Sequence, residues 1–323
     1  MATNAVLTNL SDRQLDSRIE IAFARNHHGT RAAPMNRRTF LTAAASAVAV
    51  SGVSSLPAQP GPFNGSLIDT NVSLSQWPIR QSWAPTPAAL VERLKRHGVT
   101  SAWAGSFDGV LHTDMSGANA RLAESVRKDG GGILVPMGTV NPTFPDWEDD
   151  VRRCHEVHGM PGLRLYPNYH GYALDDPRFA RLLAVATQRR LLVQIMLSIE
   201  DDRSQNPMLT ALPVQAGPLV ELMPKISGAR VMLLNGGSRV LGGNVSLLHG
   251  LVAAGVIFEI ATLEGVAGIE NLLRRAPGVR TTFGSHSPYF YFESALLRLQ
   301  ESDLSPADLE AVRSGNARNL LLS

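Results

Sequence analysis

"GLRLYPNYHGYALDDPRFARLLAVATQRRLLVQIM", residues 162–196, decides how this chain folds. A short apolar run, 162–167, leads into "DPRFARLLAVATQRR", an amphipathic stretch of helical period, and then into a second apolar run, 191–197. Short apolar runs suit strands buried on both faces, and the stretch between them supplies the crossover helix that parallel strands require. The same rhythm continues on both sides. Upstream lie strand-like runs at 67–72, 100–106 and 133–140, and downstream at 230–235, 256–261 and 279–284. Helical segments such as "PAALVERLKRHG" and "GVAGIENLLRRA" separate them, many ending in Gly or basic residues as helix C-termini do. "SPADLEAVRSGNARNLLL", residues 305–322, reads as a closing helix with Ser305 as N-cap and Pro306 in the first position.

Eight alternations over roughly 250 residues suit a single (β/α)8 TIM barrel. The competing doubly wound sheet usually has fewer strands and often a glycine-rich phosphate loop after the first, and none follows Val72. In a barrel the functional site lies at the C-terminal ends of the strands, so the residues ending each run become the candidates.

Composition narrows the class. The 323 residues are 44% hydrophobic and 18% charged with a formal net charge of +2, an ordinary globular balance. No basic stripe interleaved with aromatics marks a nucleic-acid surface. The single cysteine, Cys154, excludes an internal disulfide framework and a Cys-based zinc site. Its place in "WEDDVRRCHEVHG" predicts a partly buried helix position rather than a nucleophile.

The N-terminal segment carries a different signal. "MNRRTFLTAAASAVAVSGVSSLPAQP", residues 35–60, has paired arginines, an apolar run and a Pro-containing polar exit in order. That is the layout of an export signal of twin-arginine type, implying a periplasmic or extracellular protein. The apolar run from Phe40 to Val53 is shorter than the about 20 residues that a spanning helix needs. A signal should begin the chain, so Met35 is expected to be the true start and residues 1–34 an over-extended N-terminus. The barrel then occupies 61–323.

The strand ends are unusually polar. On strand one Asp69, Asn71 and Ser73 alternate and should share a face. Ser106 and Asp108 follow strand two, and Thr139 and Asn141 end strand three. Strand four brings Arg164, Tyr166, Asn168, Tyr169 and His170. Glu200, Asp201, Asp202 and Arg203 follow strand five, and Asn235, Glu259 and His286 end the last three. Unpaired buried polar groups are costly, so such a ring either hydrogen-bonds internally, closing the barrel top, or serves a ligand.

A family resemblance rests on these residues. The 162–196 segment, "FGSHSP" and the closing "GNARNLL" resemble the amidohydrolase-related (amidohydrolase-2) group of the amidohydrolase superfamily, and the resemblance runs from about Leu67 to Leu322. It implies a barrel performing metal-assisted hydrolysis or, in some members, decarboxylation. It also implies metal ligands that this chain lacks. The two histidines of an Asp-x-His-x-His start correspond to Asn71 and Ser73, and the strand-five histidine to Met196. The histidine before Gly-Gly corresponds to Asn235, and the last-strand aspartate to His286. Amide, hydroxyl and thioether are poor donors for zinc, iron or manganese, which favour imidazole, thiolate or carboxylate. No cofactor is therefore expected, with a divalent metal on a rebuilt set of Asp69, His170, Glu200 and His286 as the alternative.

The replacements remain polar, and two readings stay open. In the first, His286 is a general acid or base, positioned by a carboxylate such as Asp69 or Glu259, with Glu200 a further catalytic candidate. Arg164 would bind an anionic group, and Asn71, Asn235, His170 and Tyr166 would line the substrate. The expected enzyme is a hydrolase or carbon–carbon lyase for a small carboxylated or hydroxylated substrate. In the second reading the barrel binds a small polar ligand without turning it over. Residues 289–292, a Tyr-Phe-Tyr-Phe run, either roof a pocket or pack beneath a loop, and the loop 198–208 is a lid or a solvated connection. The partner expected is a small molecule, with no nucleic acid and no membrane span; a homo-oligomer is left open.

Overall fold

Apolar residues spaced every second position along short runs generate eight parallel strands, hydrogen-bonded in chain order. They are β1 (Leu67–Leu74), β2 (Val99–Ser106), β3 (Leu134–Gly138), β4 (Gly162–Leu165), β5 (Leu192–Met196), β6 (Val231–Leu234), β7 (Ile257–Glu259) and β8 (Thr281–Thr282). The first strand meets the last: Thr70 N donates to Phe283 O at 2.9 Å and Ser73 N to Ser287 O at 2.8 Å. This is the expected (β/α)8 barrel. The computed structural model describes residues 65–322 apart from Asp202, so the segments 1–34 and 35–60 lie outside the described residues.

Eight helices alternate with the strands: α1 (Pro87–Arg96), α2 (Met115–Asp129), α3 (Trp147–Arg152), α4 (Pro177–Gln188), α5 (Leu219–Leu222), α6 (Val245–Ala253), α7 (Gly268–Arg275) and α8 (Phe292–Gln300). Their starts follow from capping chemistry. Thr86 accepts from Ala89 N at 3.2 Å and Asp176 from Arg178 N at 2.8 Å, each just before a proline whose missing N–H costs nothing at a helix start. Ser305 caps the helix Pro306–Glu310 as expected, accepting from Asp308 N.

The strand period of two sorts side chains into two apolar layers. Leu163, Leu165, Val193, Ile195, Val231 and Leu233 pack outward among helix residues such as Phe179, Leu182 and Leu183. Ile68, Trp103, Met137, Leu192, Met196, Met232 and Ile257 fill the barrel, with Ala317 and Leu320 of the last helix, Asn316–Leu322, in the same cluster. Cys154 is completely buried in the outer layer, more so than its sequence register predicts, and burial pushes its thiol up to about 12. A thiol held protonated in this way is inert.

β1 departs from simple alternation. Asp69 pairs with Ala102 but Val72 with Ala104, so three steps on β1 oppose two on β2, a bulge. Leu67, Val72 and Leu74 belong to the outer layer and Ile68 to the inner one, so the parity changes inside this bulge. The expected shared face of Asp69, Asn71 and Ser73 is thereby split: Asp69 turns to the segment after β8, while Asn71 and Ser73 face inward.

Among the described residues, no helix is long and apolar enough to cross a membrane.

Candidate active site

The middle tier of the barrel interior is polar. Arg164 lies between two outward leucines on β4 and therefore points inward, where it is completely buried. Its Nε donates to Gln194 Oε1 at 2.9 Å and its Nη1 to Val72 O at 2.6 Å. Nη2 donates to Trp103 O at 2.9 Å and Thr70 O at 3.2 Å. One guanidinium thus ties β1, β2, β4 and β5 together. Four of its five N–H donors are committed to the barrel wall, and in this structure it braces the strands rather than facing the cleft where the expected anion would bind. Tyr166, also expected to line the substrate, is fully buried in the barrel interior beside Arg164. His170 donates from Nε2 to Gly109 O at 2.9 Å, at the Asp108–Leu111 turn, and packs between Tyr166 and Tyr172. Neither reaches the cleft described below.

Above this tier the strand ends converge. Asn71 Nδ2 donates to Asn235 Oδ1 at 2.9 Å, and Asn235 Nδ2 to Ser198 O at 2.7 Å. The Glu259 carboxyl is held between Asn235 N at 2.5 Å and Ala261 N at 2.6 Å. Asp69 accepts from Ser285 N, Ser285 Oγ and Asn71 N at 3.0, 2.5 and 3.1 Å. Burial pushes Asp69 up to about 6 and Glu259 up to about 7, against the opposing pull of those hydrogen bonds. β8 must come close for this arrangement: a Cβ on Gly284 would lie 2.3 Å from Glu259 Oε2 and 3.2 Å from Asn71 Cβ. Gly284→Ala is therefore expected to cost about 1–3 kcal/mol of stability by overpacking. Urea denaturation measures it, and an unchanged midpoint would mean that the carboxyl yields freely.

His286 follows β8, next to Ser287, whose carbonyl accepts from Ser73 N. Its Nε2 faces Ile199 O at 2.9 Å, and a carbonyl only accepts, so Nε2 carries the proton and Nδ1 a bare lone pair. Nδ1 is buried without a partner, as are Asn71 Oδ1 and Ser73 Oγ. Burial pushes His286 down to about 4, which keeps the ring neutral near neutral pH and makes it a weak proton acceptor. The Tyr289 and Phe290 rings cover it at 5.3 and 5.1 Å, whereas Tyr291 is exposed and Phe292 packs in the outer core. The aromatic run is therefore half roof, half core.

An open cleft of about 440 Å³ lies over the ends of β5, β6 and β7. It is lined by Ser198 to Asp201 after β5, by Asn235 and Gly236 after β6, and by Thr262, Phe290 and Arg298. Of the 198–208 loop, Ser198 to Asp201 and Arg203 thus line the cleft, while Met208 is exposed. Glu200 is anchored through Oε1, which accepts from Tyr289 OH at 2.6 Å and Trp77 Nε1 at 3.2 Å, leaving buried Oε2 unpartnered. Of the sequence candidates, Glu200, Asp201, Arg203 and Asn235 line this cleft, and His286 contacts two of its lining residues, Ile199 and Phe290. Asp69, Asn71 and Glu259 form the frame beneath.

Sequence reasoning missed Gln194, Ser285, Thr262 and Arg298. Gln194 had a visible signal, a polar residue inside the apolar "LLVQIM". Ser285 lay inside a quoted motif, next to the residue that drew attention. Arg298 had none, since an arginine on an amphipathic helix normally faces water.

A parallel eight-stranded barrel with a polar tier and a cleft at its C-terminal face has the architecture of a (β/α)8 barrel, in which that face carries the functional site. The family model described as amidohydrolase (Amidohydro_2) matches residues 74–239, a little over half of the chain, and the chain belongs to that family. Similar solved structures include 2,6-dihydroxybenzoate decarboxylase from Rhizobium, at 12% identity and TM-score 0.61, over 80% of this chain and 98% of that one. Another is 5-carboxyvanillate decarboxylase from Novosphingobium aromaticivorans with bound manganese, at 16% identity and TM-score 0.61, over 80% and 98%. A third is a probable 2-pyrone-4,6-dicarboxylic acid hydrolase from Acinetobacter baumannii with citric acid bound, at 12% identity and TM-score 0.54, over 80% and 99%. At these identities the likeness is one of fold. No curated protein matches the chain.

Among the described residues no three His, Cys, Asp or Glu side chains come together in a way that could hold a metal ion. The alternative set of Asp69, His170, Glu200 and His286 is not assembled: His170 lies on the β2–β4 side, and Asp69 is enclosed by Ser285.

Proposed function

We propose that this chain is a hydrolase or carbon–carbon lyase acting on a small carboxylated or hydroxylated molecule held in the 440 Å³ cleft. The observation that carries the reading is Glu200: a carboxyl pinned by Trp77 and Tyr289 at the cleft wall, with one oxygen left over for a ligand. A carboxyl so placed is pre-organised for proton transfer. In hydrolysis Glu200 takes a proton from water as the water oxygen bonds to the substrate carbonyl carbon, and returns it to the departing oxygen or nitrogen. In decarboxylation the carbon–carbon bond breaks, carbon dioxide leaves, and a protonated Glu200 supplies the proton to the carbon that keeps the electron pair. Asn235 holds the adjoining loop through Ser198, and neutral His286 supports the wall through Ile199.

The family's usual metal does not fit this donor set. At the corresponding positions stand two asparagines tied to each other, a serine, a methionine and a histidine whose Nε2 is committed to a carbonyl. The nearby carboxyls of Asp69 and Glu259 are enclosed by N–H and hydroxyl donors. Stoichiometric zinc or manganese in the purified protein would overturn this part of the proposal.

The test is turnover by the purified full chain across esters, amides, lactones and hydroxybenzoic acids. Glu200→Gln is expected to lower kcat about a hundredfold, the scale of a lost general acid or base. Undiminished turnover in that variant would remove Glu200 from the chemistry. The second reading, a binding barrel without turnover, draws on the enclosed Asp69 and Glu259 and gains if metal-free protein binds but converts nothing in the panel. We also propose export through the 35–60 segment; N-terminal sequencing of protein from the producing cells checks it, and a protein retaining residues 35–60 would count against it.

A further inference from the structure

Resting on the cleft as the active site, we infer that Arg298, with Thr262 beside it, is the anchor for one carboxylate of the substrate. Arg298 comes from α8, which no strand-end rule would select, and it lines the cleft half-buried. Its Nε donates to Leu263 O at 2.6 Å, which orients the guanidinium. Its Nη groups have no hydrogen-bond partner and no ion pair among the described residues, in contrast to Arg203, which is paired to Asp201. Thr262 Oγ1, on the same wall, is buried and unpartnered. Buried polar groups are nearly always hydrogen-bonded, so the orphaned Thr262 hydroxyl calls for a partner, and the Arg298 Nη groups, open to the same cleft, supply the charged fork that an anionic acceptor bridging the two would meet.

Charge decides which acceptor. Glu200 and Glu264 also line the cleft, while Arg203 is neutralised by Asp201. Among the described lining residues Arg298 is the one cation without an ion pair, so the attraction is local to its guanidinium, and a monoanionic carboxylate is repelled less than a phosphate dianion by Glu200 and Glu264. The planar fork binds a carboxylate in bidentate fashion, a geometry that lysine does not reproduce. Ile199, Val240 and Phe290 supply apolar wall for the rest of the molecule. Arg298 thereby takes the part that the sequence assigned to Arg164.

Binding of benzoate and of its uncharged counterpart benzamide to the full chain, by isothermal titration, tests this. Wild type is expected to prefer benzoate by about tenfold, the scale of one charge-assisted contact, and Arg298→Gln to bring the ratio close to one. Arg298→Lys should keep only part of the preference, and Thr262→Val should lower it a few-fold. Because Arg298 also holds Leu263, circular dichroism and a thermal melt accompany each variant. If Arg298→Gln does not fold, Arg298→Lys and Thr262→Val decide the matter. No benzoate binding by wild type, or a preference unchanged in the folded variants, overturns the inference. Turnover is read separately. Activity with a carboxylate preference indifferent to Arg298 would sink the anchor and leave the cleft as active site. Arg298-dependent benzoate binding with no turnover in the panel would do the reverse.

Discussion

Arg164→Met is expected to destabilise the barrel by about 3–5 kcal/mol, because several buried acceptors lose their donor at about 1–3 kcal/mol each. Replacing a buried ion by an apolar group of similar volume is sometimes harmless, because the desolvation cost of the charge disappears with it. Here that relief is outweighed by the partners left behind. The carbonyls of Val72 and Trp103 and the Gln194 amide oxygen would all lose a donor in a place that water does not reach. Gly105 has been kept bare to admit this side chain, since a Cβ there would lie 2.7 Å from Arg164 Cδ. Methionine would leave the space around the missing guanidinium half filled. Arg164→Lys is not expected to rescue the loss, because one ammonium group cannot span four acceptors arranged for a planar fork. Urea unfolding measures the difference, and a loss below about 1 kcal/mol would show that the network is dispensable.

Raising the pH from 5 to 8 is expected to remove stability supplied by two buried carboxyls, about 2–3 kcal/mol at Glu259 and about 1–2 kcal/mol at Asp69. Unfolded, such groups release their protons near pH 4, whereas the fold holds them to about 7 and about 6. Between those values the native state binds more protons than the unfolded chain, so unfolding free energy falls as pH rises. The stabilisation is whole below about pH 4 and is lost as pH passes through 6 to 7. His286 works in the opposite sense. Its folded value is depressed to about 4, so its contribution is present above the unfolded value near 6.5 and is lost as pH falls toward 4. Wild-type slopes thus mix opposing signs, and the variants separate them. Glu259→Gln should flatten the decline between pH 5 and 8 by about 2–3 kcal/mol, while His286→Gln should steepen it. Equal slopes in wild type and Glu259→Gln would mean that Glu259 is not held protonated by the fold.

Much of the site was legible because a barrel converts order along the chain into position in space. Asn71 and Asn235 lie 164 residues apart and hydrogen-bond, as two residues at the C-terminal ends of β1 and β6 should be able to. The same rule placed Glu200 after β5, where it lines the cleft. For Arg164, its place in "GLRLYP" says that it points inward, and nothing in that segment says that its donors end on carbonyls of β1 and β2. The bulge at Asp69–Val72 was invisible for a related reason. Alternation predicts which face a residue takes only while the register with the neighbouring strand holds.

The sequence by itself determined the barrel, its eight strands and the ring of polar residues at one end. Periodicity and capping are local properties, written within a dozen residues of chain. Only the tertiary structure decided which of those polar groups are spent and which are free. A hydrogen-bond partner is contributed by residues tens to hundreds of positions away, and burial depends on what the loops cover. Asp69, Glu259 and Arg164 are thereby consumed in the frame. Glu200 and Arg298 are left with atoms to offer a ligand.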